Sequence, residues 1–307
     1  MITDAELIVE RRRLKRRLTF WRIAAVLILL ASLAALAFNQ KSFGDRAKWN
    51  DHIARLRIDG FISGDQATLD LVDEISKSDK VKGLILRIDS PGGSTAGSEA
   101  LYEHLRLLAK EKPVVAVMDT VAASGGYITA ISADHIIARG NTITGSIGVI
   151  FSFPEISGLL GTLGVKMEEI KSAELKAEPT PYHPVSDKVR AVTNEMVQDS
   201  FAWFKGLVAE RRNLPPATVD VLADGRVYTG RQALKVKLID ELGGEEKAVE
   251  WLTREKKLSD TLEIADWALT PVSERSLLGF ASKALGFDSL GLQRLDGLVS
   301  VWHPDFK

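Results

Sequence analysis

From residue 53 onward, short apolar strand patterns alternate with amphipathic helical patterns of ten or more residues. No other feature of the chain restricts its fold as much. Strands separated by such helices cannot be joined as hairpins. They need crossovers, which are right-handed, and so they build a parallel sheet from βαβ units.

Residues 53–58 alternate apolar and basic side chains and stop at Asp59-Gly60. Asp65 is placed to cap a helix over 66–78 that carries Leu69, Val72 and Ile75 on one face. Residues 81–88 read as a buried strand ended by Ser90-Pro91-Gly92-Gly93. A helix from about Ser98 to Lys110 and a strand over 114–118 follow, and Ser124 stands at the next strand-to-helix transition. Ile136-Ile137, residues 146–150 and residues 165–170 are further short strands, and Leu159, Leu160 and Leu163 lie on a helix. The second half is more helical. A long helix over 185–212 turns Val189, Val192, Met196, Phe201, Phe204 and Val208 inward, and shorter helices cover 231–237 and 245–256. Residues 263–307 are weakly patterned. The sequence predicts one α/β domain over 53–262 with a helical C-terminal extension over 263–307.

Ahead of this body, residues 1–22 carry seven basic side chains against three acidic ones, and residues 23–38 carry no charge. Sixteen helical residues reach only about 24 Å, short of the roughly 30 Å hydrocarbon core. Adding Leu18 to Trp21, with Arg22 snorkelling to the interface, extends the span to about 31 Å. Positive charge before the apolar run keeps the N-terminus cytoplasmic and sends the body across. The expected layout is a basic tail over 1–22, a transmembrane anchor over 23–38 and a linker over 39–52. Two other readings exist for the apolar run. One is a buried core helix, which the adjoining cations oppose. The other is a cleavable signal peptide ending at Ala35-Leu36-Ala37, which the long region before the run and the bulky Phe38 oppose.

The tail's seven bases and three acids sum to +4, so the rest carries −5 to give the net −1 of the whole chain. A mildly acidic body gives no reason to expect a nucleic-acid partner. The chain has no cysteine, which excludes disulfides, thiolate metal sites and a cysteine nucleophile together.

The chemistry concentrates in βα turns, where open parallel sheets place their ligand sites. Ser90-Pro91-Gly92-Gly93 has no side chain at its tip, so its N–H groups can approach a reacting carbonyl as an oxyanion hole requires. An ordinary Pro-Gly turn is the simpler alternative. No Gly-Lys-Ser/Thr follows, which excludes a Walker-type phosphate loop.

Ser124, in Ala122-Ala123-Ser124-Gly125-Gly126-Tyr127, is either an N-cap or a nucleophile exposed on a tight turn. Gly125-Gly126 directly after it costs the helix about 1 kcal/mol per glycine against alanine. That cost implies that the backbone meets something closely there. Thr144-Gly145-Ser146-Ile147-Gly148-Val149 supplies a second hydroxyl. None of the five histidines sits in a Ser-His pattern, and serine catalysis without histidine needs another base, commonly a desolvated lysine. Lys176, among Leu175, Ala177 and Pro179, and Lys171, five residues earlier, both qualify, and either can equally be a solvated surface lysine.

The order of segments resembles the signal peptide peptidase A family, membrane-bound serine peptidases with a Ser-Lys dyad on the ClpP/crotonase fold. The resembling segments are Arg87-Ile88-Asp89-Ser90-Pro91-Gly92-Gly93, the Ser124 and Ser146 stretches just quoted, residues 171–176, and Gly225-Arg226-Val227-Tyr228-Thr229-Gly230 running on to Leu242-Gly243-Gly244. Together they span roughly residues 53–250. The resemblance implies Ser124 as nucleophile, Lys176 as general base and Ser146 as the residue that holds the lysine amine. It implies oxyanion amides at Gly92 or Gly93, with Gly125 a further candidate. Ala173 stands where the family often has glycine, which touches the loop shape more than the dyad.

The activity implied is hydrolysis of cleaved signal peptides and other short apolar peptides at the extracytoplasmic face of the bacterial inner membrane, without metal or other cofactor. In double-length relatives the lysine and serine lie in different halves of the chain. The resemblance therefore also implies a ring of about eight identical subunits, with Ser124 of one facing Lys176 of the next. A crotonase-like acyl-CoA enzyme and a membrane-anchored scaffold without catalysis are the alternative classes.

Overall fold

The structure is a computed structural model and describes residues 15–28, 47–269 and 299–301. The chain divides into two units, residues 1–50 and 51–307. In the first, residues 15–28 form helix α1, and a single 3-10 turn covers Ala47–Trp49. No described helix is long and apolar enough to cross a membrane. Residues 29–38 of the expected anchor lie outside the described residues.

In the second unit, β1 (His52–Ile62), α2 (Gln66–Lys77), β2 (Val81–Ser94), α3 (Thr95–Glu111) and β3 (Val114–Ala123) follow one another as βαβ units. The pairs β1–β2 and β2–β3 are parallel. A short helix α4 (Gly125–Ala130) and strands β4 (His135–Ala138) and β5 (Ile143–Gly145) come next. Then α5 (Ser157–Thr162), α6 (Asp187–Arg212), α7 (Pro216–Leu222), β6 (Val227–Thr229) and α8 (Gly230–Lys235) lead to β7 (Glu241–Leu242). Helix α9 (Glu245–Lys256) and strands β8 (Glu263–Trp267) and β9 (Val299–Val301) complete the described chain. The sheet order is β6-β5-β3-β2-β1-β8, with β4 joined to β3 and β7 to β4. Only the β5–β6 and β2–β9 pairs among these are antiparallel.

Period-two alternation sends successive strand residues to opposite faces of the sheet. Ala54, Leu84, Leu86, Val114 and Ala116 point to the larger core under α2, α3 and α4. Ile53, Ile85, Val115 and Ile137 point to the smaller core under α9, where they meet Ala248, Trp251 and Leu252. With both faces covered, residues 84–86 of β2 and 114–118 of β3 are apolar throughout, as in other parallel sheets, while β1 keeps Arg55 and Arg57 among its apolar residues.

Several predicted boundaries shift. Asp65 does cap α2, accepting from Thr68 N at 2.9 Å. Strand β2 does not stop at Ser90 but runs through Pro91-Gly92-Gly93 to Ser94. Gly92 follows the strand path at a φ of 123°, and Phe61 and Ile62 of β1 pair with Gly92 and Gly93. A side chain at Gly93 would place its Cβ 1.9 Å from the Ile62 carbonyl oxygen, so glycine is needed to keep the strands paired.

The strand expected at 146–150 lies instead at β5, because Ser146 takes a φ of 48° that ends the extended backbone. Residues 165–170 form no strand. Residues 263–267, expected within a helical extension, form β8, which pairs in parallel with the first five residues of β1. Helix α6 buries Val189, Phe204 and Val208 as expected, but Val192 and Met196 are exposed. Leu159, Leu163, Val165, Met167 and Ile170 are exposed as well, so residues 151–196 carry much apolar surface and little core of their own.

Candidate active site

Strand β3 delivers the chain to a turn pressed from two sides. Ser124 N donates to the Gly145 carbonyl at 2.8 Å, which ties the turn to β5. On the other side, a Cβ at Gly126 would stand 2.6 Å from the Ser90 carbonyl oxygen. The glycine cost read from the sequence therefore corresponds to a real close approach.

Between these two contacts Ser124 takes φ 57° and ψ −118° and is almost fully buried. Its hydroxyl does not cap α4, although Ile128 N bonds its carbonyl at 2.9 Å. A left-handed serine with this ψ costs about 1–3 kcal/mol, and such strain persists only where the surroundings over-determine it. A strained strand-to-helix turn of this kind aims a serine Oγ away from its own helix, the arrangement of a nucleophile elbow.

Ser146 lies beside this turn, one residue after the carbonyl that holds Ser124 N. It too has positive φ, at 48°, and its N–H donates to the Arg226 carbonyl at 2.8 Å. Gly145 precedes it at φ 82°, where a Cβ would stand 2.6 Å from the Tyr228 ring. The Gly225–Gly230 segment thus forms the wall that shapes the second serine's turn.

Ser90 organises the third side. Its Oγ donates to the Gly60 carbonyl at 2.6 Å and accepts from Gly92 N at 3.1 Å. Asp89 accepts from Val121 N at 3.0 Å, fastening β2 to β3 beside their last pair, Ser90 and Ala122. The Gly92 amide is therefore occupied by the Ser90 hydroxyl. Gly125 heads α4, whose first-turn N–H groups have no intrahelical partner. The Ser90 hydroxyl was visible in the sequence only as part of a Pro-Gly turn. The signal for it is a serine directly before proline, a hydroxyl suited to bonding backbone nearby.

The two candidate lysines part company. Lys171 Nζ sits between two carboxylates, 2.8 Å from Glu169 Oε2 and 2.6 Å from Glu178 Oε1. Hydrogen bonds to Glu169 first and Glu178 second raise its pKa above the ordinary lysine value, so it stays charged. A lysine held as an ammonium cannot take a proton. Lys176 is exposed, and its backbone N–H donates to the Ala173 carbonyl at 3.0 Å. The structure thus gathers Ser124, Ser146, Ser90 and Gly92 around one set of turns and places Lys176 on the apolar segment over 151–186. A cavity of about 670 Å³ along β1 and α2, lined in part by Phe61, Ile62, Leu69 and Trp267, includes none of Ser124, Ser146 and Lys176.

Comparison with known proteins identifies the family of this chain. Residues 106–259 match peptidase family S49. A putative protease of Methanocaldococcus jannaschii is 33% identical over 240 residues, covering 76% of each chain. A putative signal peptide peptidase SppA of Enterococcus faecium is 35% identical, over 78% of this chain and 69% of its own. Protease 4 of Haemophilus influenzae is 36% identical over 62% of this chain but only 32% of its own greater length. Ser124, Ser146 and both lysines fall inside the matched family region, on a mostly parallel α/β sheet, and the chain belongs to peptidase family S49, the serine peptidases of SppA type.

Proposed function

We propose that the protein is a membrane-anchored endopeptidase in which Ser124 is the nucleophile, Lys176 the general base and Ser146 the group that steadies the lysine amine. Its substrates in this reading are cleaved signal peptides and other short apolar peptides. The observation that carries it is the backbone of Ser124, strained and pinned between Gly145 and Ser90 where no helix cap requires it. The Lys171 ammonium, bonded to both Glu169 and Glu178, is poorly placed to act as a base, which favours Lys176 in this reading.

Neutral Lys176 accepts the Ser124 hydroxyl proton as Oγ bonds to the scissile carbonyl carbon. The oxyanion is held by backbone amides around Gly93 and Gly125, because the Gly92 amide already serves Ser90. The lysine returns the proton to the leaving amine, and water then hydrolyses the acyl-enzyme by the same route. Strand β9 pairs antiparallel with Gly92–Ser94, on the side of β2 that β3 leaves after Ser90. That edge accepts an added strand, and an extended peptide bound there would run past Ser124. The relative from Enterococcus faecium, named as a signal peptide peptidase, supports the substrate class.

In this reading the basic tail and apolar run form an anchor in the bacterial inner membrane, with the tail cytoplasmic and the body outside. The apolar side chains left exposed on residues 151–196 support self-association through the segment that carries Lys176. In this reading the contact is head-to-tail and closes into a ring of about eight copies, with serine and lysine from neighbouring subunits. Co-assembling Ser124→Ala chains with Lys176→Ala chains, each inactive alone, tests both parts. Peptide hydrolysis is expected to return in the mixture. A mixture that co-assembles yet stays silent refutes the shared dyad.

A further inference from the structure

Residues 171–178 form a loop with its two ends tied together. Lys171 Nζ donates to Glu178 Oε1 at 2.6 Å, and the ammonium also reaches Glu169. His183 Nε2 stands 3.2 Å from the same Glu178 oxygen and 3.4 Å from Glu169 Oε2. The Glu178 side chain is only 7% exposed. Its other oxygen, Oε2, is buried with no hydrogen-bond partner among the described residues.

A carboxylate buried this far holds its cation firmly, because losing the partner would leave an uncompensated charge out of water. Glu169, Glu178 and His183 come close enough together to hold a metal ion, but the Lys171 ammonium already serves as the cation there. Inside the loop, Ala177 takes a φ of 62°, a conformation a residue with a Cβ keeps only under constraint. A second ion pair, Lys188 to Glu174, fastens the loop to α6. Lys176 is exposed between these fastenings.

We propose that Lys171 and Glu178 are positioning residues: their ion pair, backed by Glu169 and His183, fixes the loop that presents Lys176 to Ser124. The inference rests on Lys176 being the base. A lysine side chain has four rotatable bonds, so the fold controls its amine chiefly by fixing the Cα and the direction of the Cβ. Loosening the loop would leave peptide binding alone and degrade only the alignment of base and hydroxyl, where an error of about 1 Å costs about 100-fold in rate.

The test uses the full-length protein carrying Lys171→Ala, Glu178→Gln, Lys171→Arg or Lys176→Ala. Peptide hydrolysis and thermal unfolding are measured for each. Lys171→Ala and Glu178→Gln are expected to lower kcat by about 10–100-fold with KM within about twofold. Their melting temperatures are expected to stay near the wild-type value, because the loop lies outside both apolar cores and can open to hydrate an unpaired Glu178 without unfolding them. Lys171→Arg, which keeps the charge, is expected to recover most of kcat. Full kcat in Lys171→Ala beside an inactive Lys176→Ala overturns the positioning role and leaves the base assignment standing. An active Lys176→Ala overturns the base assignment and the positioning role with it. Loss of kcat that tracks a fall in melting temperature, or that Lys171→Arg fails to rescue, marks a merely structural contact and also overturns the proposal.

Discussion

Replacing Gly126 with alanine isolates the packing of the Ser124 turn from its chemistry. The added Cβ would stand 2.6 Å from the Ser90 carbonyl oxygen, and a backbone oxygen cannot swing aside as a side chain can. Restoring ordinary contact, which begins at 3.4 Å, requires the start of α4 and Ser90 to separate by about 0.8 Å. Two stability effects then oppose each other. Alanine gains about 1 kcal/mol over glycine within a helix, while overpacking costs about 1–3 kcal/mol. The net change is a loss of at most about 2 kcal/mol, which lowers Tm by a few degrees in a protein of this size. Function is far more sensitive, because the same separation pulls the Ser124 hydroxyl away from the end of β2. A misplacement of that size costs about 10–100-fold in rate. The rate of covalent labelling by a fluorophosphonate measures it directly, with a thermal melt run alongside. A variant that labels within twofold of the parent and melts higher would refute the close approach as the reason for glycine.

Four other outcomes are expected, two from packing and ion pairs and two from the proposed dyad. Tyr127→Phe removes the bond from the buried phenol to the Leu238 carbonyl at 2.8 Å. It should cost about 1–3 kcal/mol in denaturant unfolding while leaving labelling of Ser124 intact. Ser146→Ala should slow hydrolysis by an amount equivalent to about 1–3 kcal/mol, the cost of one buried hydrogen bond, without lowering expression. A pH–rate profile should rise through the alkaline range because a lysine base acts only when neutral, and a flat profile would refute such a base. On the acid side, the Lys171 hydrogen bond holds the Glu169 carboxyl below its ordinary value of 4.5. A depressed carboxyl stabilises the loop above that ordinary value and loses its contribution as pH falls through the lowered one. Proteolytic cutting within residues 171–178 should therefore increase as pH falls below the ordinary carboxylate value, and a pH-independent cutting rate would contradict the sign.

The sequence was most informative where local rules and long-range packing ask for the same residue. Asp65 is a cap by its own chemistry, and the alternation in β1 and the apolar runs of β2 and β3 are strands whichever neighbours they find. Gly126 was legible as a cost without a local return, and the Ser90 carbonyl supplies the reason. Boundaries failed where a backbone contact from elsewhere overrode local preference. Pro91-Gly92-Gly93 looks like a stop, yet β1 continues alongside and keeps β2 extended to Ser94. Val192 and Met196 follow the helical period faithfully, but period states only that a face is apolar, not what covers it. The ion pairs around Lys171 were not legible in the sequence because they depend on Glu169, Glu178 and His183 converging in space, which spacing alone does not reveal.

The pairing of β8 with β1 has a consequence for how the chain is made. Arg55 meets Asp266 across 211 positions of sequence, and its other partner, Glu245, also comes late. The outer edge of the first strand is therefore completed by nearly the last described segment. At synthesis rates of 5–20 residues per second, roughly 10–40 s separate the emergence of the two strands. During that interval β1, β2 and β3 can assemble, but the row of amides and carbonyls on the far side of β1 has no mate. An open edge of this kind pairs readily with another chain, and parallel pairing at such separation is slow even when both strands are present. Each newborn copy thus passes through a half-minute in which crowding by its siblings is most dangerous.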